Sequence, residues 1–393
     1  MPLSTIVVGG GIGGLSLARE LDRRGLAAVV LERAPKLATV GAGIIMNPNA
    51  MAVLEANGLA ECVRSRSAPY LARDTYDHRG RRLATRDYRP LYTAGRLAIG
   101  ALCHRAHLHE CLYDGVPPGS VHLDTRIVAL HAGPDRVRVE TDRGEVFTGD
   151  VLIGADGIRS TVRARFFGPN EPVYLGYRSH RFVVPNGDGL EHFTEFLGRG
   201  LRVGLVPIGG GQLYVWTTFN SPRESRAWAL ESVDTLRALF TEIADPRVRR
   251  AFGRLESADG VVCTDIEEVR QAGWASGRVA LLGDAAHALT PNMGQGAGMA
   301  MEDAVILAEE LVRASRHEAD VPEALARYVA RRRRRVDTIV RLSRQIGEEG
   351  QLTGTLACWL RNRRIRREGR SPEHTRAALE RLLAWPLGAD ETA

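Results

Sequence analysis

Apolar positions fall in short blocks separated by glycine and charge. Thr5-Ile6-Val7-Val8 is a continuous β-prone run, followed at once by glycines. Leu15, Leu17, Ala18 and Leu21 then recur at helical spacing, and Gly25 ends that segment. Ala27 to Leu31 is a second buried-strand run, closed by Glu32. Strand, helix, strand is the opening of a parallel α/β sheet. Pro48 to Gly58 and Ala106 to Tyr113 read as short helices. Residues 73–97 are rich in Arg and Tyr with turn signals, as expected of an excursion into a second lobe. Residues 121–150 carry short alternating strands, and Val151-Leu152-Ile153 is a buried one.

From about 176 to 265 the period changes to two. Val183-Val184, Arg202 to Pro207 and Leu213 to Phe219 are strand runs. Tyr214, Trp216 and Thr218 share one face of the last strand, and Leu213, Val215, Thr217 and Phe219 the other. One face is expected to pack on helices, predicted around 231–252, and the other to line a cavity. Arg278 to Leu282 is another buried strand. Long helices follow from about Gly296 to Arg313 and from about Pro322 to Arg344, and the polar tail reads as helical. The expected architecture is α/β. A discontinuous Rossmann-like nucleotide domain spans 1–72, 98–175 and 268–345. Residues 73–97 and 176–267 form a β-rich lobe over it, and 346–393 a C-terminal helical segment.

Composition narrows the class. The 393 residues are 44% hydrophobic and 25% charged, ordinary for a soluble globular chain. No apolar run reaches the roughly 18 residues of a membrane span. No basic, apolar leader opens the chain, so a cytoplasmic location is expected. The five cysteines show no Cys-x-x-Cys, which predicts free thiols in a reducing compartment and no metal site. The net charge of +6 is almost all arginine, with Lys36 the only lysine. The run Arg331 to Arg335 sits in a helical pattern, so its side chains fan around the axis. A solvated, partly carboxylate-paired helix is expected there, not a nucleic-acid patch. The positive field can still draw in an anionic cofactor or acidic substrate.

Three motifs carry the chemistry. Gly9-x-Gly11-x-x-Gly14 follows a strand and opens a helix. Gly9 suits the tight turn, Gly11 lets backbone approach a pyrophosphate, and Gly14 lets helix and strand close up. The helix N-terminus offers N–H groups to phosphates, and Glu32 can accept from ribose hydroxyls. Ile12, Gly13 and Arg33 flank these positions. This motif does not choose between NAD and FAD. In the third motif, Asp284 follows a buried strand and can accept from a polyol chain, which FAD has and NAD lacks. Pro291 then turns the chain, and Gly294, Gln295, Gly296 and Ala297 open a helix whose free N–H groups can stabilise a reduced flavin. Glu302-Asp303, further along it, reads as capping and pairing. In the second motif, Gly154-Ala155-Asp156-Gly157, Asp156 can brace arginine side chains or the first turn of the next helix, or the segment is a purely structural turn.

Taken together these segments resemble the single-component, class A FAD-dependent aromatic monooxygenases, which include salicylate, hydroxybenzoate and urate hydroxylases. The matching stretches are Val8 to Leu15, Gly154 to Ser160, and Gly283-Asp284-Ala285-Ala286-His287 through Gly296. Gly41-Ala42-Gly43-Ile44 resembles the loop beside the isoalloxazine, and Arg105 the arginine that contacts FAD. The resemblance spans about 1–345 and implies a glutathione-reductase-like FAD domain. It also implies that NAD(P)H, as NADPH or NADH, reduces the flavin. O2 then gives a C4a-hydroperoxide whose distal oxygen passes to an electron-rich ring. Arg202 and Tyr214 resemble substrate-sheet residues of urate hydroxylases, which are expected to carry Asp where this chain has Asn292. The implied product is a hydroxylated aromatic small molecule. Epoxidation, Baeyer–Villiger insertion and a plain flavin dehydrogenase remain alternatives. No membrane or nucleic-acid partner is implied, and a monomer or homodimer is expected. A flavin halogenase would need a Trp-x-Trp-x-Ile-Pro segment that this chain lacks. His180 and His192 read as structural, and His287 as a brace for the Asp284 turn.

Overall fold

The computed structural model describes residues 3–36, 42–223, 232–317 and 320–385. Gly41 and the start of the helix expected near 231 lie outside the described residues. The apolar runs near the N-terminus become the centre of a six-stranded sheet. Its order is Ala275–Ser276, Val279–Leu281, Val151–Gly154, Ser4–Val8, Ala27–Leu31 and Val121–His122. All neighbours are parallel except the first pair. Such strands are buried on both faces, which is why they read as continuous apolar runs rather than alternation. Helices Ile12–Arg23 and Gly296–Ser315 cover one face through Leu15, Leu17, Leu21, Ala304 and Leu307. The other face packs on the antiparallel strands of 127–149 and on helix Val321–Gly350 through Leu130, Val139, Val336 and Ile339.

The period-two region forms a seven-stranded sheet. Its order is Val262–Glu268, Val173–Pro185, Gln212–Asn220, Leu201–Pro207, Phe193–Leu197, Ala72–Asp77 and Arg82–Asp87. Strands from before and after the 98–175 segment therefore meet in one sheet, where Phe193–Leu197 runs parallel to Ala72–Asp77. The two faces of Gln212–Asn220 separate as their alternation predicts. Leu213, Val215 and Phe219 join Leu236, Phe240 and Phe252 in an apolar core under the helices Val233–Leu239 and Pro246–Gly253. Tyr214, Trp216 and Thr218 face a cavity.

Two expectations from composition are corrected. Cys62 and Cys111 are joined by a disulfide between helices Ala60–Ser65 and Arg105–Asp114, and Cys103, Cys263 and Cys358 stay outside it. Sequence spacing hides the pair because it closes across 49 residues. The arginine run is carboxylate-paired but only partly solvated. Arg331 bonds Glu309 and Glu310, whereas Arg332 is buried against Glu302 and Asp303, and Arg335 reaches Glu302. The helix carrying Glu302-Asp303 thus buries both acids, and cations from the neighbouring helix are what make that tolerable. The tail folds as helices Thr355–Glu368 and Pro372–Leu383. Leu383 packs with Tyr70, Tyr88 and Tyr214, so the tail reaches the wall of the β-rich lobe.

Candidate functional site

At the carboxyl end of the parallel strands the chain turns sharply. Gly9 has φ +106°, and a Cβ there would lie 2.4 Å from the Ala155 carbonyl oxygen. A Cβ on Gly14 would lie 2.0 Å from the Gly9 oxygen. Only glycine fits either position. Gly11 differs, because a Cβ on it would meet nothing within 4 Å. It N-caps helix Ile12–Arg23 without a side-chain cap, so the first helical N–H groups face open space. That space is a cleft of about 530 Å³, walled by Gly9 to Gly11, Glu32, Arg33, Arg105, His109 and Asp156 among others. Glu32 accepts the Gly10 N–H at 2.7 Å and the Ala34 N–H at 2.8 Å. A carboxylate has about four acceptor positions, so acceptor capacity remains for a ligand. His109, one turn beyond Arg105, bonds the Gly10 carbonyl at 2.7 Å and holds the turn from the other side.

Asp156 spends its carboxylate locally. It accepts from the Ser160 hydroxyl and from the N–H groups of Thr161 (2.6 Å) and Val162 (3.2 Å), at the start of helix Thr161–Phe167. Burial raises its pKa, and these donors oppose that shift. Its backbone neighbours Ala155 and Gly157 still border the cleft.

A second cavity of about 390 Å³ shares Gly11, Arg105, Ala155 and Gly157 with the cleft. Its floor is Ile12, Gly13, Gly43 to Ile45, Asp284 and the segment from Pro291 through Gly294 to Gly296 and Ala297. Asp284 opens onto the cavity and has no hydrogen-bond partner among the described residues. Burial pushes its carboxyl pKa up, and the charges of His287 and Arg105 pull it back. His287 supports this turn through Asp303, at 2.6 Å, which also accepts the Gly283 N–H at 3.1 Å. Asn47 holds the Gly294 carbonyl at 2.8 Å, fixing the left-handed Gly294 that precedes helix Gly296–Ser315. The Gln295 side chain turns away into the protein, where it exchanges hydrogen bonds with Asn49 at 2.9 and 3.1 Å. Only the backbone of Gln295 serves the helix start. Ala42 is buried, and its carbonyl accepts the Arg105 N–H at 3.1 Å, which ties the two segments together. Gly43 sits so close to the opposite sheet that a Cβ would be 2.4 Å from the Tyr214 ring.

The opposite wall is the aromatic face of the seven-stranded sheet. Arg202 is almost wholly buried and its guanidinium lies 5.1 Å from the Trp216 ring centre. It donates to Glu195 at 3.0 Å from Nε and 2.5 Å from Nη2, and to Asn292 at 2.6 Å from Nη1. Arg73 bonds the other Glu195 oxygen and lies over Phe193 at 4.9 Å. Burial alone would raise the Glu195 pKa, but the two guanidiniums overcome it and hold the carboxyl at about 2. Asn292 is itself fixed by Tyr177, Thr290 and the Ser343 carbonyl. Tyr214 borders the cavity, and burial raises its phenol pKa against the pull of Arg181 and Arg105. Arg181 also lines the cavity and donates to Thr264. Nothing in the sequence pattern singles out Arg73, Arg181, Glu195 or His109. Arg181 follows from the alternation of its strand, two positions from Ser179 on the same face, once one face is known to be wet.

The donor set fits FAD on two structural grounds. The cradle at Gly9 to Gly14 has its one open Cα direction at Gly11, and Asp284 is a carboxyl that lines a cavity without a hydrogen-bonding partner among the described residues. Comparison with known proteins agrees. Residues 3–343 match the FAD binding domain family. The chain is 36% identical over 375 residues to the aurachin C monooxygenase/isomerase of Stigmatella aurantiaca, covering 93% of this chain and 94% of that one. It is 35% identical to the 3-hydroxybenzoate 6-hydroxylase of Polaromonas naphthalenivorans, covering 98% and 97%. Among solved structures, Klebsiella pneumoniae HpxO in complex with FAD and uric acid superposes with a TM-score of 0.86 at 27% identity, covering 97% and 96%.

Proposed function

The chain belongs to the FAD binding domain family of class A flavin monooxygenases, and from that premise we propose how its two cavities divide the work. It is an FAD-dependent oxidoreductase that uses NAD(P)H and O2. In our reading the cleft at Gly9, Gly11 and Glu32 takes the pyrophosphate and ribose of FAD. Asp284 takes the ribityl hydroxyls. The N–H groups of Gly296 and Ala297 would meet the pyrimidine edge of a bound flavin, where a helix N-terminus favours negative charge. Arg105, shared by both cavities, spans the junction. The remaining volume, between Tyr214, Trp216, Arg202 and the Gly43 to Ile45 segment, takes an aromatic or heteroaromatic small molecule, and hydroxylation is the reaction. The relatives named for a hydroxybenzoate and for aurachin C support this class without fixing the compound.

One observation carries the reading. A single cavity is lined jointly by the flavin-type glycine segments and by the aromatic face of a separate sheet. When bound there, FAD supplies hydride acceptance from NAD(P)H and oxygen activation. This chain's residues supply orientation and dryness. Phe193, Leu289, Met293 and Ile45 line the space and limit water, which protects an oxygen-transferring flavin from discharge. The Arg202–Glu195–Asn292 network presets the wall at no cost at the moment of reaction. In the same reading 1–72, 98–175 and 268–345 form the FAD domain, 73–97 and 176–267 the substrate lobe, and 346–393 its helical support. No helix is long and apolar enough to cross a membrane among the described residues. A cytoplasmic monomer or homodimer is the assembly we propose.

The test is a panel of phenolic, quinolone and other heteroaromatic compounds. The readout is stimulated NAD(P)H oxidation, with product mass measured under labelled O2. The expected product gains one oxygen atom from O2. Oxidation that proceeds anaerobically with an artificial acceptor and adds no oxygen would replace this reading with a dehydrogenase.

A further inference from the structure

Behind the Arg202 wall lies a third cavity, of about 170 Å³, which no part of the flavin chemistry uses. It is closed on one side by strands Ala72–Asp77 and Arg82–Asp87 and on the other by the C-terminal helices. Six arginines line it against four carboxylates, Asp87, Glu195, Glu349 and Glu368. The carboxylates are already committed. Glu195 is shared by Arg73 and Arg202. Asp87 takes Arg89, outside the cavity. Glu349 and Glu368 both take Arg364.

Three guanidiniums are left over. Arg361 is buried and donates only to neutral acceptors, the carbonyls of Glu349 (3.2 Å) and Gly198 (3.1 Å) and the Asn362 amide oxygen (3.1 Å). Arg86 makes no salt bridge among the described residues, and Arg376 feels Asp87 without bonding it. Buried or half-buried guanidinium charge is costly when unpaired, and the cheapest remedy is an anion. Guanidinium forks match oxyanions in particular, because two parallel N–H donors meet two oxygens.

We propose that this cavity is a binding site for a small oxyanion, phosphate or a carboxylate, held by Arg86, Arg361 and Arg376. Its volume admits such a group. Arg73 and Arg202 line both this cavity and the substrate cavity, so a bound anion lies one side chain away from the substrate wall.

The site is tested by calorimetric titration of the FAD-loaded enzyme with sodium phosphate and, in parallel, sodium acetate, with ionic strength held constant by chloride. Constant ionic strength removes the diffuse screening that any basic protein shows. Wild type is expected to give a saturable one-site isotherm with at least one of the two anions, and which of them binds identifies the oxyanion. The double variant R86S/R376S touches neither the flavin cleft nor the substrate cavity. It is expected to keep its flavin content and to bind that anion roughly tenfold more weakly or worse. Absence of a saturable isotherm with either anion, or an unchanged affinity in R86S/R376S, overturns the proposal.

Discussion

Two carboxylates of the cavity walls show what a single residue reveals in sequence and what it conceals. Asp284 follows a buried strand and a glycine, and that position alone marks it as a group aimed out of a sheet toward a ligand. Glu195 sits in Phe193-Thr-Glu-Phe-Leu, where it reads as one more polar position in a strand, yet it holds two guanidiniums of the cavity wall. Its partners come from other strands, so no local spacing encodes it. His180 is a structural histidine. It is buried, stacked on Phe219 at 5.0 Å, and away from the cavity face. Burial first, and the Arg178 charge second, push its imidazole down to about 4 from an unfolded value of 6.5. Below 6.5 the unfolded chain takes up a proton that the folded chain refuses, so stability falls as pH drops from 6.5 toward 4. At pH 5 this single group accounts for about 2 kcal/mol. Urea unfolding at pH 7 and pH 5 should therefore show a smaller acid loss for His180→Phe than for wild type. Equal losses in the two proteins would remove His180 as the cause.

At the scale of elements, legibility followed burial. Parallel strands buried on both faces are continuous apolar runs, and the Gln212–Asn220 strand alternates cleanly, so both were visible in sequence. The Cys62–Cys111 link was not, because it joins two helices that only the tertiary fold brings together. The first turn was the most legible element, since its glycines have separate geometric tasks that substitution can separate. Gly9→Ala puts a Cβ against backbone at a positive φ, so the turn itself must move. Gly11→Ala puts a Cβ into empty space on an ordinary backbone, so the protein loses nothing and only an approaching pyrophosphate is obstructed. Apo-protein melting should drop for Gly9→Ala and stay within about 0.5 kcal/mol of wild type for Gly11→Ala. FAD affinity, measured by flavin fluorescence quenching, should fall in both. Retention of wild-type FAD affinity by Gly11→Ala would place the pyrophosphate elsewhere.

Across the whole molecule, the glycine-bearing segments are legible in sequence and most of the opposite cavity wall is not. Glycine geometry and a strand-terminal acid are local requirements, whereas the opposite cavity wall is assembled from residues 70–73, 179–181, 193–202 and 214–218, of which only Arg202 and the Tyr214 face stand out in sequence. The C-terminal helices belong to that same assembly. They lack any motif, yet Leu383 is buried against Tyr70 and Tyr88, and Arg361 ties helix Thr355–Glu368 to the Gly198 carbonyl. They touch the seven-stranded sheet and also helix Val321–Gly350, whose Arg335 donates to the Leu382 carbonyl, but not the Gly9 turn. Stability and flavin binding should therefore separate when this contact is cut. Leu383→Ala removes a fully packed side chain, and a buried Leu→Ala change costs roughly 2–5 kcal/mol. The variant is expected to purify yellow with wild-type flavin content and to unfold at a lower temperature. Because Tyr70 also lines the substrate cavity, relaxation around the new void acts on substrate binding. The stimulating compound should then show a raised KM with little change in the unstimulated rate of NAD(P)H oxidation. Loss of flavin with the melting temperature unchanged would mean that the tail supports the cofactor half instead.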